Sequence, residues 1–120
     1  MPLEAGEWWV SRYRVDFAAD NADGRAATLA KSADVAIVCV GNHPTGDTDS
    51  WAQVTKPSYG REAVDRQSIT LEDEELVQAV QAANPRTVLV LVSSFPYAIV
   101  WSQEHVPAIL QMTHNSQEQG

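Results

Sequence analysis

Four carboxylates, Asp47, Asp49, Glu62 and Asp65, fall within one polar stretch, NHPTGDTDSWAQVTKPSYGREAVDRQS, between residues 42 and 68. Two carboxyl groups in different surroundings, one kept protonated and the other ionised, are what acid and base catalysis on a glycosidic bond requires. The plainer alternative is a set of solvated loop charges, with Asp65 and Arg66 pairing to pin the loop. His43 opens the stretch and Trp51 stands inside it. An indole presents an apolar face on which a pyranose ring can stack, and Trp51, alone of the four tryptophans, lies in this loop. His43 and Trp51 are therefore the candidate substrate contacts.

Other chemistries find less support. His43, His105 and His114 lack the HExxH or i, i+4 spacing of a metal site, and Cys39, the single cysteine, can form neither an intrachain disulfide nor a thiolate cluster. Neither a glycine-rich phosphate turn nor a P-loop lysine comes after VCVG. No metal or organic cofactor is expected. Ser93 and Ser94 lack the GxSxG pattern of a nucleophile elbow and read as the end of a strand. A net charge of -8, with 16 acidic against 8 basic residues, repels a phosphate backbone, so nucleic acid is not an expected partner. The apolar runs DVAIVCVG and TVLVLVSS fall far short of the ~20 residues of a membrane helix, and the acidic amino terminus carries no visible export signal.

The elements that must position these residues alternate. Residues 8–18 show a period of two and predict a strand, and residues 1–25 as a whole form a lead-in to the domain. An alanine-rich helix is expected from about Asp23 to Ser32, capped by Asn21 or Asp23. Unbroken β-branched runs predict strands at 34–41, 86–94 and 107–114, with Cys39 buried and inert in the first. Helical spacing through Leu71, Leu76, Val80 and Ala83 predicts a helix opened by Thr70 as N-cap and closed by Asn84-Pro85, and FPYAIVWSQEHV contains a short one. Such alternation implies an α/β fold: a three-layer sandwich with a mainly parallel sheet and helices on both faces. The 42–68 loop leaves the carboxyl end of the first buried strand, on the rim where ligands gather in such sheets.

The blocks ADVAIVCVG, GREAVDRQSITL, EELVQAVQAANPRTVLVLVSSFPYAI and VPAILQMTHNSQEQG, in this order, resemble the carboxyl-terminal α/β-sandwich domain of glycoside hydrolase family 3, the β-glucosidases and β-xylosidases. The resemblance runs from about Ala26 to Gly120 and implies that residues 1–120 form a single, partial copy of that domain, truncated at both ends. It implies retaining hydrolysis of terminal β-linked glucose or xylose without a cofactor. The nucleophilic aspartate would belong to a TIM-barrel domain absent from this chain. The sandwich domain would supply a pocket wall and a loop carboxylate as general acid/base, for which Glu62 in GREAVDR is the candidate and Asp47 and Asp49 the fallbacks. Alone, the chain is then expected to be inactive and to self-associate through an unprotected sheet edge. A competing reading is a non-catalytic sugar-binding or protein-interaction module on the same fold.

Overall fold

The computed structural model describes residues 13–41, 65, 67–93 and 96–113. Strands β1 (Ala36–Gly41), β2 (Thr87–Ser93) and β3 (Ala108–Thr113) alternate with helices α1 (Arg25–Ser32), α2 (Glu74–Ala83) and α3 (Val100–His105). The strands pair in parallel in the order β1-β2-β3, with Val38 opposite Leu89 and Leu89 opposite Ile109. The expected α/β class with a parallel sheet is the one observed, and the three β-branched runs are the three strands.

The strand order rises steadily, so right-handed crossovers carry α2 and α3 to the same face of the sheet. Helix α1 packs beside α2 on that face. Beneath them lie Ala36, Val38 and Val40 of β1 and Leu89 and Leu91 of β2, in one core with Ala30, Leu71, Val77, Val80 and Val106. On the opposite face Ile37 is 67% exposed and Leu110 59%. Among the described residues, then, helices cover one face and not both. The reason is that valine and isoleucine favour the pleated backbone itself, and their presence does not report what lies above it. Cys39 belongs to the open face and is exposed, which corrects its expected burial.

Three other local expectations change. Tyr13, Val15 and Phe17, in the described part of the expected 8–18 strand, form no strand and are exposed; alternation without a neighbouring ladder has nothing to pair with. Helix α2 begins at Glu74 after Asp73 and not at Thr70. Thr70 instead bridges Ala98 in parallel, and the Ala98 N–H donates to the Ile69 carbonyl at 2.7 Å. That extended contact holds residues 69–70 out of the helix. The N-cap of α1 is Gly24, in the left-handed region at φ 72, and neither Asn21 nor Asp23 as expected; Asn21 reaches the first turn from further back, its Oδ1 accepting from the Ala27 N–H at 3.2 Å.

Polar side chains join the helices where the backbone lacks partners. Helix α3 has no capping side chain of its own. The Glu74 carboxylate reaches across from α2 and accepts from both the Ser102 N–H (3.2 Å) and the Ser102 hydroxyl (2.9 Å). Ser102 is fully buried, so Glu74→Ala strands a buried hydroxyl and a helix N–H together. The expected loss is about 1.5–3 kcal/mol, the range for hydrogen bonds to a charged group, read from the urea midpoint. Glu74→Gln, which keeps an acceptor, should recover roughly half of it.

Candidate active rim

The register brings the carboxyl ends of the strands into line. Gly41 lies opposite Val92, and Ser93 opposite Thr113. At Gly41 a Cβ would overlap the carbonyl of Val92, so any side chain there would push β1 away from β2 at the rim. Because each crossover helix runs back against its strands, the start of α2 also lies at this end, with the Thr70–Ala98 bridge beside it. The bridge ties the end of the 42–68 loop to the exit of β2. Asp65, Gln67 and Ser68 are described and exposed. These last residues of the loop are the part that the structure describes. Glu62, Asp47, Asp49, His43, Trp51 and Arg66 lie outside the described residues, as do Trp8, Trp9 and His114.

Among the described residues, the charge around this rim is negative. Glu72, Asp73 and Glu75 line a shallow depression with Asn21 and Leu76. Tyr97 lies half-buried four residues beyond the end of β2, and burial, reinforced by the charges of Glu72 and Asp73, pushes its phenol up to about 12. The folded chain therefore holds this proton more tightly than the unfolded chain, whose tyrosines titrate near 10. Its stabilising contribution is complete below pH ~10 and is lost as pH rises towards ~12. Tyr97→Phe should flatten the decline in urea midpoint across that window, and an unchanged decline would assign it to other groups.

Sequence patterns alone do not single out Tyr97 or Ser93 as functional. Ser93 is fully buried, and its hydroxyl has no hydrogen-bond partner among the described residues. The signal that points to both is position: polar groups at or just past the carboxyl end of a buried strand. Trp101, by contrast, is packing. Its ring stacks on His105, centroids 4.5 Å apart and planes 7° from parallel, and it rests half-buried against the core. His105 Nδ1 donates to the Trp101 carbonyl at 2.8 Å. One indole face is thereby occupied by imidazole, which leaves Trp101 no role as a sugar platform on that side.

A parallel sheet with its strand ends aligned, a bridged loop and an acidic rim is an α/β domain of the kind that binds ligands at its carboxyl edge. The sequence matches the Glycosyl hydrolase family 3 C-terminal domain over residues 7–120. It is 34% identical over 97 residues to Beta-glucosidase B of Emericella nidulans (strain FGSC A4), covering 79% of this chain and 10% of that protein. The chain belongs to glycosyl hydrolase family 3, in its C-terminal domain, and spans about a tenth of the length of that curated relative. No solved structure matches it.

Proposed function

We propose that the chain is the α/β domain of a retaining β-glycosidase acting on terminal β-linked glucose or xylose, and that it contributes one wall of the sugar pocket. The observation that carries this reading is the family match across residues 7–120, on a fold whose bridged loop end reaches the carboxyl rim. Glu62 is the general acid/base, with Asp47 and Asp49 the alternatives. His43 and Trp51 contact the sugar, and Asp65 with Arg66 anchors the loop. The nucleophile comes from a (β/α)₈ barrel, an element of roughly 250 residues that a chain of 120 cannot contain.

A retaining mechanism needs its two carboxyl groups about 5 Å apart, so the 120-residue chain alone is inactive. The test compares the chain with a full-length enzyme carrying it, on aryl β-glucosides and aryl β-xylosides, with the first-formed anomer monitored by NMR. Hydrolysis with retention by the full-length enzyme and none by the chain is the expected result. Inversion, or turnover by the chain alone, would overturn it. Self-association belongs to the same proposal, since β1 and β3 each keep an unpaired edge among the described strands.

A further inference from the structure

The turn ahead of α1 holds the one Asp-Gly pair of the chain, Asp23-Gly24. Asp23 has φ 54 and ψ 22, in the left-handed region, and among the described residues it is the one non-glycine with a positive φ. Gly24 follows at φ 72. A side chain in that region is strained and persists only where its surroundings hold it. Packing is not what holds it, since no residue of Ala22–Gly24 is buried and a Cβ placed at Gly24 would meet nothing within 4 Å. Asn21 holds it. Its carbonyl accepts from the Gly24 N–H at 3.0 Å and its Oδ1 from the Ala27 N–H at 3.2 Å, so one residue brackets the pair with two hydrogen bonds.

We propose that Asp23 is a site of spontaneous isoaspartate formation, with its rate set by the grip of Asn21. The Gly24 amide nitrogen attacks Cγ of the neutral Asp23 carboxyl, a C–N bond forms and water leaves, closing a five-membered succinimide. Water then opens the ring at either carbonyl, which returns aspartate or leaves isoaspartate. The net change is an isomerisation without change of mass. Glycine, with no side chain, leaves its nitrogen the least shielded. In the folded turn the reacting atoms are kept apart. At ψ 22 the Gly24 nitrogen lies nearly opposite Cβ across the Cα–C bond of Asp23, so ring closure needs a large rotation there, and that rotation breaks the Gly24–Asn21 hydrogen bond. Because the turn buries no residue, its hydrogen bonds set the reactive population, at about fivefold for each bond that must break. The product carries one more backbone atom at this turn, which the bonds of Asn21 to Gly24 and Ala27 no longer fit.

Incubation of the folded 120-residue chain beside its own tryptic peptide, residues 15–25, tests it, with isomers separated by chromatography and located by fragmentation. The peptide has the same Asp-Gly pair without the folded turn. The expected result is isoaspartate at Asp23 in both, forming about fivefold or more slowly in the chain, the effect of at least one hydrogen bond. Asn21→Ala, which removes the acceptor for Ala27, should raise the rate in the chain several-fold while leaving the peptide's rate and the circular dichroism spectrum unchanged. Asn21→Asp, which keeps that acceptor, should stay slow. A chain that isomerises as fast as the peptide would overturn the proposal, because the turn would then not restrain the pair. Equal rates for Asn21→Ala and Asn21→Asp in the chain would also overturn it, by assigning the restraint to another residue. So would a chain free of isoaspartate at Asp23 after the peptide has fully converted, since the turn would then never open.

Discussion

Asn84→Asp should unfold a large fraction of the chain at neutral pH, although it changes one side-chain nitrogen to oxygen. The Asn84 amide nitrogen donates to two carbonyls at the end of α1, Ala30 O and Ala33 O, both at 2.9 Å. Its Oδ1 accepts from the Arg86 N–H at 2.9 Å, and its own carbonyl accepts from the Thr87 hydroxyl at 2.6 Å. Asn84 is only 5% exposed. The residue thus fastens the end of α1 to the turn between α2 and β2 through both ends of its amide. A carboxylate at this position cannot donate, and it would face two carbonyl oxygens in a buried site. An uncompensated buried charge costs about 3–5 kcal/mol, a large share of the roughly 5–15 kcal/mol that holds a typical domain together.

The pH dependence separates this cause from simple loss of contacts. Protonation restores one donor to the introduced carboxyl, whose pKa would be raised in the folded state. The variant should therefore regain stability as pH falls towards ~4, the ordinary aspartate range. Asn84→Ala loses the three side-chain hydrogen bonds at about 1 kcal/mol each and should show no such recovery. Urea midpoints for the two variants between pH ~4 and ~8 decide the matter; parallel curves would remove the charge explanation.

In a full-length enzyme carrying this domain, Glu62→Gln should slow hydrolysis of glycosides with poor leaving groups by about 10²-fold or more, the lower range for general acid catalysis. Activated aryl glycosides, whose leaving groups depart with little protonation, should be spared. Glutamine preserves size and hydrogen bonding but cannot deliver a proton, so the difference between the two substrate types isolates the acid role. Equal, small losses on both would take Glu62 out of the mechanism and turn attention to Asp47 and Asp49 on the same loop.

The strands are legible in the sequence because their signal is local. DVAIVCVG, TVLVLVSS and PAILQMTH are β-branched or apolar runs bounded by polar breakers, and each forms a strand within a residue or two of its expected ends. Their parallel order comes from the alternation. Cover above the sheet is not legible, because it is decided by crossovers and by the rest of the fold, so Ile37 and Cys39 look as buried as Val38. Thr70 misleads for a similar reason. It has the chemistry of an N-cap, but Ala98, far along the chain, holds it extended. At the rim, sequence points to the loop and its carboxylates, but not to Tyr97, whose altered acidity comes from burial and from Glu72 and Asp73 through folding.

The two crossovers of the sheet are very unequal, Gly41 to Thr87 against Ser93 to Ala108, and the longer one contains the loop with Glu62. Closing a flexible connection becomes harder only logarithmically with length, roughly 0.6 kcal/mol for each doubling. The Thr70–Ala98 bridge lies between that connection and α2, which is committed to the core. Residues can therefore be gained or lost ahead of the bridge at little cost to the sheet. The segment proposed to carry the catalytic proton is the part of the chain whose length can change while the scaffold stays as it is.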